Sequence, residues 1–182
     1  MKKYEFTSET KEVDGCTLYR IRAVQDFADI KAGDIGGWVE NDNNLLHYDN
    51  AWVYDNACVY GNACVYGDAC VSGDARVYGD ALVYGDARVY GDARVSGNAW
   101  VYGDARVSGN ADSSIVGGFG RNFRTTTFFR CEDGKIRTQC GCFYGSLDEF
   151  RLKVKETHGD GKMAKEYLMI ADLMEIHFAD EK

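Results

Sequence analysis

The segment Gly117-Gly-Phe-Gly-Arg-Asn-Phe-Arg-Thr-Thr-Thr127 concentrates groups that suit an anion. Gly118 and Gly120 let backbone N–H donors approach a ligand closely. Arg121 and Arg124 supply guanidinium forks, and Asn122, Thr125 and Thr126 add neutral polar contacts. Forks and backbone nests of this kind suit phosphate or carboxylate. Residues 115–144 carry five basic and two acidic residues, against an acidic remainder. The competing reading is a plain linker followed by the start of a strand.

Two other residue types invite chemistry. His47 is the one histidine near the central repeats; His158 and His177 lie far along the chain. A general base needs a positioned partner, and no partner for His47 is readable. The seven cysteines include the series Cys58, Cys64, Cys70 and the cluster Cys131…Cys140-Gly-Cys142. An odd number of thiols with no export signal reads as reduced cysteine in a cytoplasm.

The elements that must hold these groups are dominated by one repeat. From Asn50 to Gly109 the chain runs in ten hexads of the form Asn/Asp-Ala-X-Val-Tyr/Ser-Gly, and only Asp55 breaks the glycine column. Alanine recurs every sixth residue from Ala51 to Ala111. A period of six fits neither the 3.6 of a helix nor a long alternating strand. It fits a left-handed parallel β-helix with three hexads to the coil. Each X-Val-Tyr/Ser triplet is a short strand with valine inward, and Gly-Asn/Asp-Ala makes the corner. Stacked coils about 4.8 Å apart need every ladder N–H. That accounts for a chain with no proline, where average usage predicts roughly nine.

Hexads three apart share a face. One face carries Trp52/Tyr54, Cys70/Ser72, Arg88/Tyr90 and Arg106/Ser108. A second carries Cys58/Tyr60, Arg76/Tyr78, Arg94/Ser96 and Asp112/Ser114. The third carries Leu46/Tyr48, Cys64/Tyr66, Leu82/Tyr84 and Trp100/Tyr102. The third face is apolar or aromatic throughout, which calls for a partner. That partner is either another copy of the chain, with Leu46, Cys64, Tyr66, Leu82, Tyr84, Trp100 and Tyr102 at the interface, or the chain's own C-terminal helices. The same sorting puts Cys58, Cys64 and Cys70 on three different faces, as small apolar surface fillers sharing no metal. The stacked arginines read as compensated by the aspartate two residues earlier in each hexad.

The flanks are different in kind. Residues 1–49 read as a β lid and lead-in coil, with a hairpin turning near Val13-Asp14-Gly15. Counting back places His47 at an inward valine position, unless the register shifts there. Residues 50–114 are the solenoid. Residues 115–182 read as a hairpin about Asp133-Gly134 followed by two helices, the first opened by the capping box Ser146-Leu-Asp-Glu149. Pairing Glu132 with Lys135 puts Cys131 and Cys140 on one face but on the order of 13 Å apart, a poor zinc site. The fold class is therefore mainly β, with a β lid, a left-handed parallel β-helix and a hairpin plus two-helix module.

This spacing resembles the hexapeptide-repeat proteins, in which an aliphatic residue is followed four places later by a small one, here Val53 and Ala57. Such proteins are typically trimers, and many are acyltransferases using CoA-type donors with a catalytic histidine and a projecting loop. Here the hexads are uninterrupted. The lead-in KAGDIGGWVE, the DARVYG array and CGCFYGSLDEF together resemble a group of hexapeptide-repeat proteins of phage and prophage genomes, which implies an origin more than an activity. A phage origin makes sequestration of a host nucleotide signal the sharpest form of anion binding.

Charge and composition set outer limits. There are 21 Lys+Arg against 29 Asp+Glu, a net charge of −8. That argues against direct nucleic-acid or membrane-surface binding. No run of about 18 apolar residues is present, and the first dozen residues lack a signal-type apolar core. No metal, cofactor or catalytic residue is expected. The expected activity is stoichiometric binding of a small anion by a cytoplasmic homotrimer. The rivals are an acyltransferase using His47 and an acidic prism that captures a host protein, with Asp68, Asp86 and Asp104 stacked on one corner.

Overall fold

The computed structural model describes residues 2–109 and 112–179; Ala111, the last alanine of the repeat, lies outside them. The centre is a parallel β-solenoid of two-residue strands: β4 (Trp52–Val53), β5 (Cys58–Val59), β6 (Cys64–Val65), β7 (Cys70–Val71), β8 (Arg76–Val77), β9 (Leu82–Val83), β10 (Arg88–Val89), β11 (Arg94–Val95), β12 (Trp100–Val101) and β13 (Arg106–Val107). Three parallel ladders run β4-β7-β10-β13, β5-β8-β11 and β6-β9-β12, so the face assignment by threes holds from Trp52 to Ser108, and not for Leu46/Tyr48 or Asp112/Ser114 at its two ends. Every hexad valine and alanine among the described residues is buried, in one continuous core.

The corner glycines from Gly61 to Gly103 take φ between +61° and +76°. Asp55, the one exception in that column, takes φ +52°, as aspartate tolerates better than most side chains. The columns are as tight as the turns: a Cβ on Gly79 would stand 2.9 Å from the backbone nitrogen of Gly97 in the next coil. Carboxylates of the opening coil close the columns. Glu40, Asp49 and Asp55 accept the N–H groups of Gly61, Gly67 and Gly73 at 2.7, 2.7 and 3.2 Å.

The solenoid starts before the regular repeat. Strands β1 (Tyr4–Val13) and β2 (Cys16–Ala23) form a hairpin through Asp14-Gly15, and β2 pairs with β3 (Ile35–Val39). Strand β3 runs parallel to β5, with Val39 beside Val59. Leu45, not His47, then takes the inward position, pairing with Val65, so the register shifts by two residues. Asn44, fully buried, donates to the carbonyls of Gly61 and Ala63 and closes the corner. The lid is pinned by Lys3, whose ammonium donates to Asp49 Oδ1, the Asp49 carbonyl and the Ala51 carbonyl at 2.9, 3.0 and 2.7 Å. Leu18 of β2 covers Cys58 and Tyr60. Cys58 is thus buried rather than a surface filler.

The far end is closed by an antiparallel sheet, β14 (Ser113–Phe119), β15 (Arg124–Arg130), β16 (Ile136–Cys140) and β17 (Phe143–Ser146). Position 113 is serine where the repeat would need valine, and Asp112 and Ser114 leave the second face. The Asp112 carboxylate instead accepts the N–H groups of Ser108 and Gly109. Thr127 and Phe129 of β15 face the last coil, while Thr126 and Phe128 face helices α1 (Leu147–His158) and α2 (Lys162–His177). The capping box of α1 is present, Ser146 and Glu149 bonding reciprocally.

One hairpin register differs by a residue from the sequence expectation. Arg130 pairs with Ile136, and Cys131 N–H donates to the Lys135 carbonyl around a three-residue loop with Gly134 at φ +74°. A type I turn plus one left-handed residue is a regular alternative to the two-residue turn. The shift moves Cys131 onto the solenoid side and Cys140 onto the helix side, so the two cannot share one ion.

Candidate ligand-binding site

The chain from Gly117 to Thr127 is a hairpin rather than a linker. Strand β14 ends at Phe119, the turn spans Gly120 to Phe123, and β15 begins at Arg124. Gly118 and Gly120 hold φ +84° and +70°, and Phe123 takes φ +49° with its ring largely exposed. A Cβ on Gly120 would strike the Tyr167 hydroxyl, which donates to the Phe119 carbonyl at 3.2 Å and fixes the turn on α2. Burial pushes that phenol up to about 12, so it stays a donor at neutral pH.

Arg121, Asn122 and Arg124 line one cleft of about 350 Å³ between β15, the Cys140–Phe143 turn and α1. The wall opposite is one face of α1, Phe150, Lys153, Val154, Thr157 and His158, with Tyr167 of α2 behind. Apolar burial of Phe150 and Val154 orients that face, because residues three and four apart share a helix side. Lys153 and His158 were not legible as site residues in the sequence. The available signal was their position beside the buried Phe150 and Val154.

Charge pairing separates these arginines from many of the others, though Arg20 rests on the Asp55 backbone carbonyl and the Trp38 ring rather than on a carboxylate. Arg151 meets Asp148, Asp172 and Glu175; Arg137 meets Asp133; Arg106 meets Glu132; Arg130 meets Asp112. Among the described residues, neither Arg121 nor Arg124 has a carboxylate partner. Lys153 pairs with Glu156 at the rim.

The other expected contacts divide between two sides of β15. Thr126 is buried and donates to Cys140 Sγ at 3.1 Å, so it props the strand. Thr125 faces the solenoid side and lines a second cleft of about 390 Å³ with Asn98, Trp100, Thr127, Gln139 and Gly141. Arg124 borders both clefts, its guanidinium lying where a side chain on Gly141 would stand. Gly118 lies near the end of β14 and lines neither cleft.

The rival centres are occupied otherwise. His47 stacks on Tyr4 with ring centroids 4.2 Å apart; its Nδ1 accepts from the Lys3 backbone N–H, and its Nε2 lies 3.3 Å from Asp42 Oδ1. Both ring nitrogens are thus engaged in the lid. On the acidic corner, Asp68 accepts from Asn50 Nδ2 and Asp104 from the Tyr144 hydroxyl. Two of the four repeat arginines pair outside their own hexads, Arg76 on Asp14 and Arg106 on Glu132.

On the third face, Tyr66, Tyr84 and Tyr102 stack at 4.9 and 4.7 Å with rings within 2° of parallel, and Tyr144 covers the last ring. The helices pack on the terminal sheet, not along this ladder. Leu46, Cys64 and Leu82 remain half-buried, and Trp100 is 40% exposed. Among the described residues no helix is long and apolar enough to cross a membrane.

The YdcK Beta solenoid repeat family model matches residues 69–85, 75–88 and 87–103, all within the regular coils. No curated protein matches the chain.

Proposed function

We propose that this hexapeptide-repeat β-helix protein works by stoichiometric, non-catalytic binding of a small anion in the cytoplasm, with the cleft between β15 and α1 as the site. The observation that supports it most is the pair of guanidinium groups, Arg121 and Arg124, on one cleft of an acidic chain and without a carboxylate partner among the described residues. Lys153 and His158 face them across it. In such a cleft each charge-assisted hydrogen bond contributes about 1.5–3 kcal/mol.

The test is calorimetric titration of the full chain with inorganic pyrophosphate. Wild type binds; Arg121→Ala/Arg124→Ala loses roughly a hundredfold or more. Its thermal melt is unchanged, because neither side chain belongs to a core. Equal affinity in the double variant removes this cleft as the site.

The reading includes a homotrimer formed through the tyrosine-ladder face, built on Leu46, Cys64, Tyr66, Leu82, Tyr84 and Tyr102. Trp100 ends its column, so assembly would set the second cleft at a subunit seam. Leu82→Glu places a charge at the centre of that face. The expected outcome is a drop to monomer mass in light scattering, with circular dichroism retained. An unchanged mass identical to wild type excludes this face as the contact.

A further inference from the structure

The second cleft has a different chemistry from the first. Its solenoid wall is the indole of Trp100, paired in register with Leu82 and with no further coil beyond it on that sheet. The Trp100 backbone N–H donates to Thr127 Oγ1 at 3.1 Å, which locks the last coil to β15. The same cleft is lined by two carboxamide residues, Asn98 on the corner and Gln139 on β16, and by Thr125. Gln139 Nε2 donates to the Gly141 carbonyl, and its Oε1 has no partner among the described residues. An aromatic wall edged by carboxamides suits a flat heteroaromatic ring: the face stacks, and the amides meet its polar edge. Anion chemistry lies next door, across the single side chain of Arg124.

We infer that the two clefts form one site for a purine nucleotide, with phosphates on Arg121 and Arg124 and the base against Trp100, edged by Asn98 and Gln139. This rests on the anion site proposed above and names what else the ligand carries. Arg124 is the hinge of the site, because it borders the phosphate side and the ring side together. Gly141 keeps it there: at φ +62° and against the guanidinium, that residue has no room for a side chain.

The experiment titrates the full chain with pyrophosphate, ADP and GDP. At least one nucleotide is expected to bind tenfold or more tightly than pyrophosphate. Trp100→Leu, which keeps an apolar side chain on the last coil, should abolish that gain and leave pyrophosphate binding unchanged. Asn98→Ala, on an exposed corner, should reduce the gain without altering the melt. If pyrophosphate binds and neither nucleotide improves on it, or if the gain survives both variants, the base pocket is overturned while the anion site stands. If a nucleotide binds but pyrophosphate does not, and Arg121→Ala/Arg124→Ala changes nothing, the anion site falls and the joint site with it. Absence of binding by all three probes overturns both.

Discussion

Alanine at Gly79 is expected to destabilise the protein by far more than alanine at Gly97, although the two glycines occupy one column. Both hold left-handed backbone, at φ +72° and +61°. For a residue with a Cβ that conformation costs roughly 1–2 kcal/mol at either position. The difference lies beneath them. The new methyl on Gly79 would stand 2.9 Å from the Gly97 nitrogen, whereas nothing lies within 4 Å of one on Gly97. Backbone cannot swing aside as a side chain does, so Gly79→Ala must spread two coils. Overpacking of this kind adds about 1–3 kcal/mol. Denaturant midpoints of the two variants give the comparison directly. Equal midpoints would mean that the coils have slack at the corners, contrary to the spacing seen.

The second large effect is expected at Lys3. Its side chain is 1% exposed and its ammonium holds Asp49 and two carbonyls. Burial pulls its pKa below the ordinary lysine value, opposed by Asp49. Asp49 also accepts the Gly67 N–H, so the same carboxylate joins lid and column. Lys3→Met keeps the stem and removes the charge, stranding a largely buried carboxylate. Breaking one partner of such a pair costs about 3–5 kcal/mol. Adding Asp49→Asn to Lys3→Met should recover part of the loss, since a neutral amide needs no counter-ion. A Lys3→Met melt equal to wild type would show that the lid is held by its apolar contacts alone, chiefly Tyr4 and Trp52.

The solenoid was legible because its signal is local and repeated. Ten valines at one spacing name the inward position, and division by three sorts the faces without any coordinate. The ends were harder, because there the chain stops repeating and long-range pairing decides. The shift that buries Leu45 instead of His47 depends on Asn44 reaching two carbonyls of the next coil, which no spacing announces. The one-residue slip at Gly134 reflects two loop lengths that a Glu-Asp-Gly sequence serves about equally well. Within the site, Arg121, Asn122 and Arg124 were readable from type and charge. That Thr126 props the strand while Thr125 looks the other way follows only from which side of β15 meets the helices. Lys153 and His158 come from another element altogether.

The threefold order of the faces has a consequence for how such a chain can change length. Eighteen added residues are one full circuit: they lengthen the prism and return the terminal sheet to the same azimuth. Six added residues advance the phase by about a third of a turn. The sheet would then meet another face, the Trp100–Thr127 lock would be lost, and Arg124 would no longer stand beside an indole. Growth by whole circuits therefore preserves the joint between prism and sheet, and growth by single hexads rewrites it. The repeat number is thus a setting of angle as much as of height.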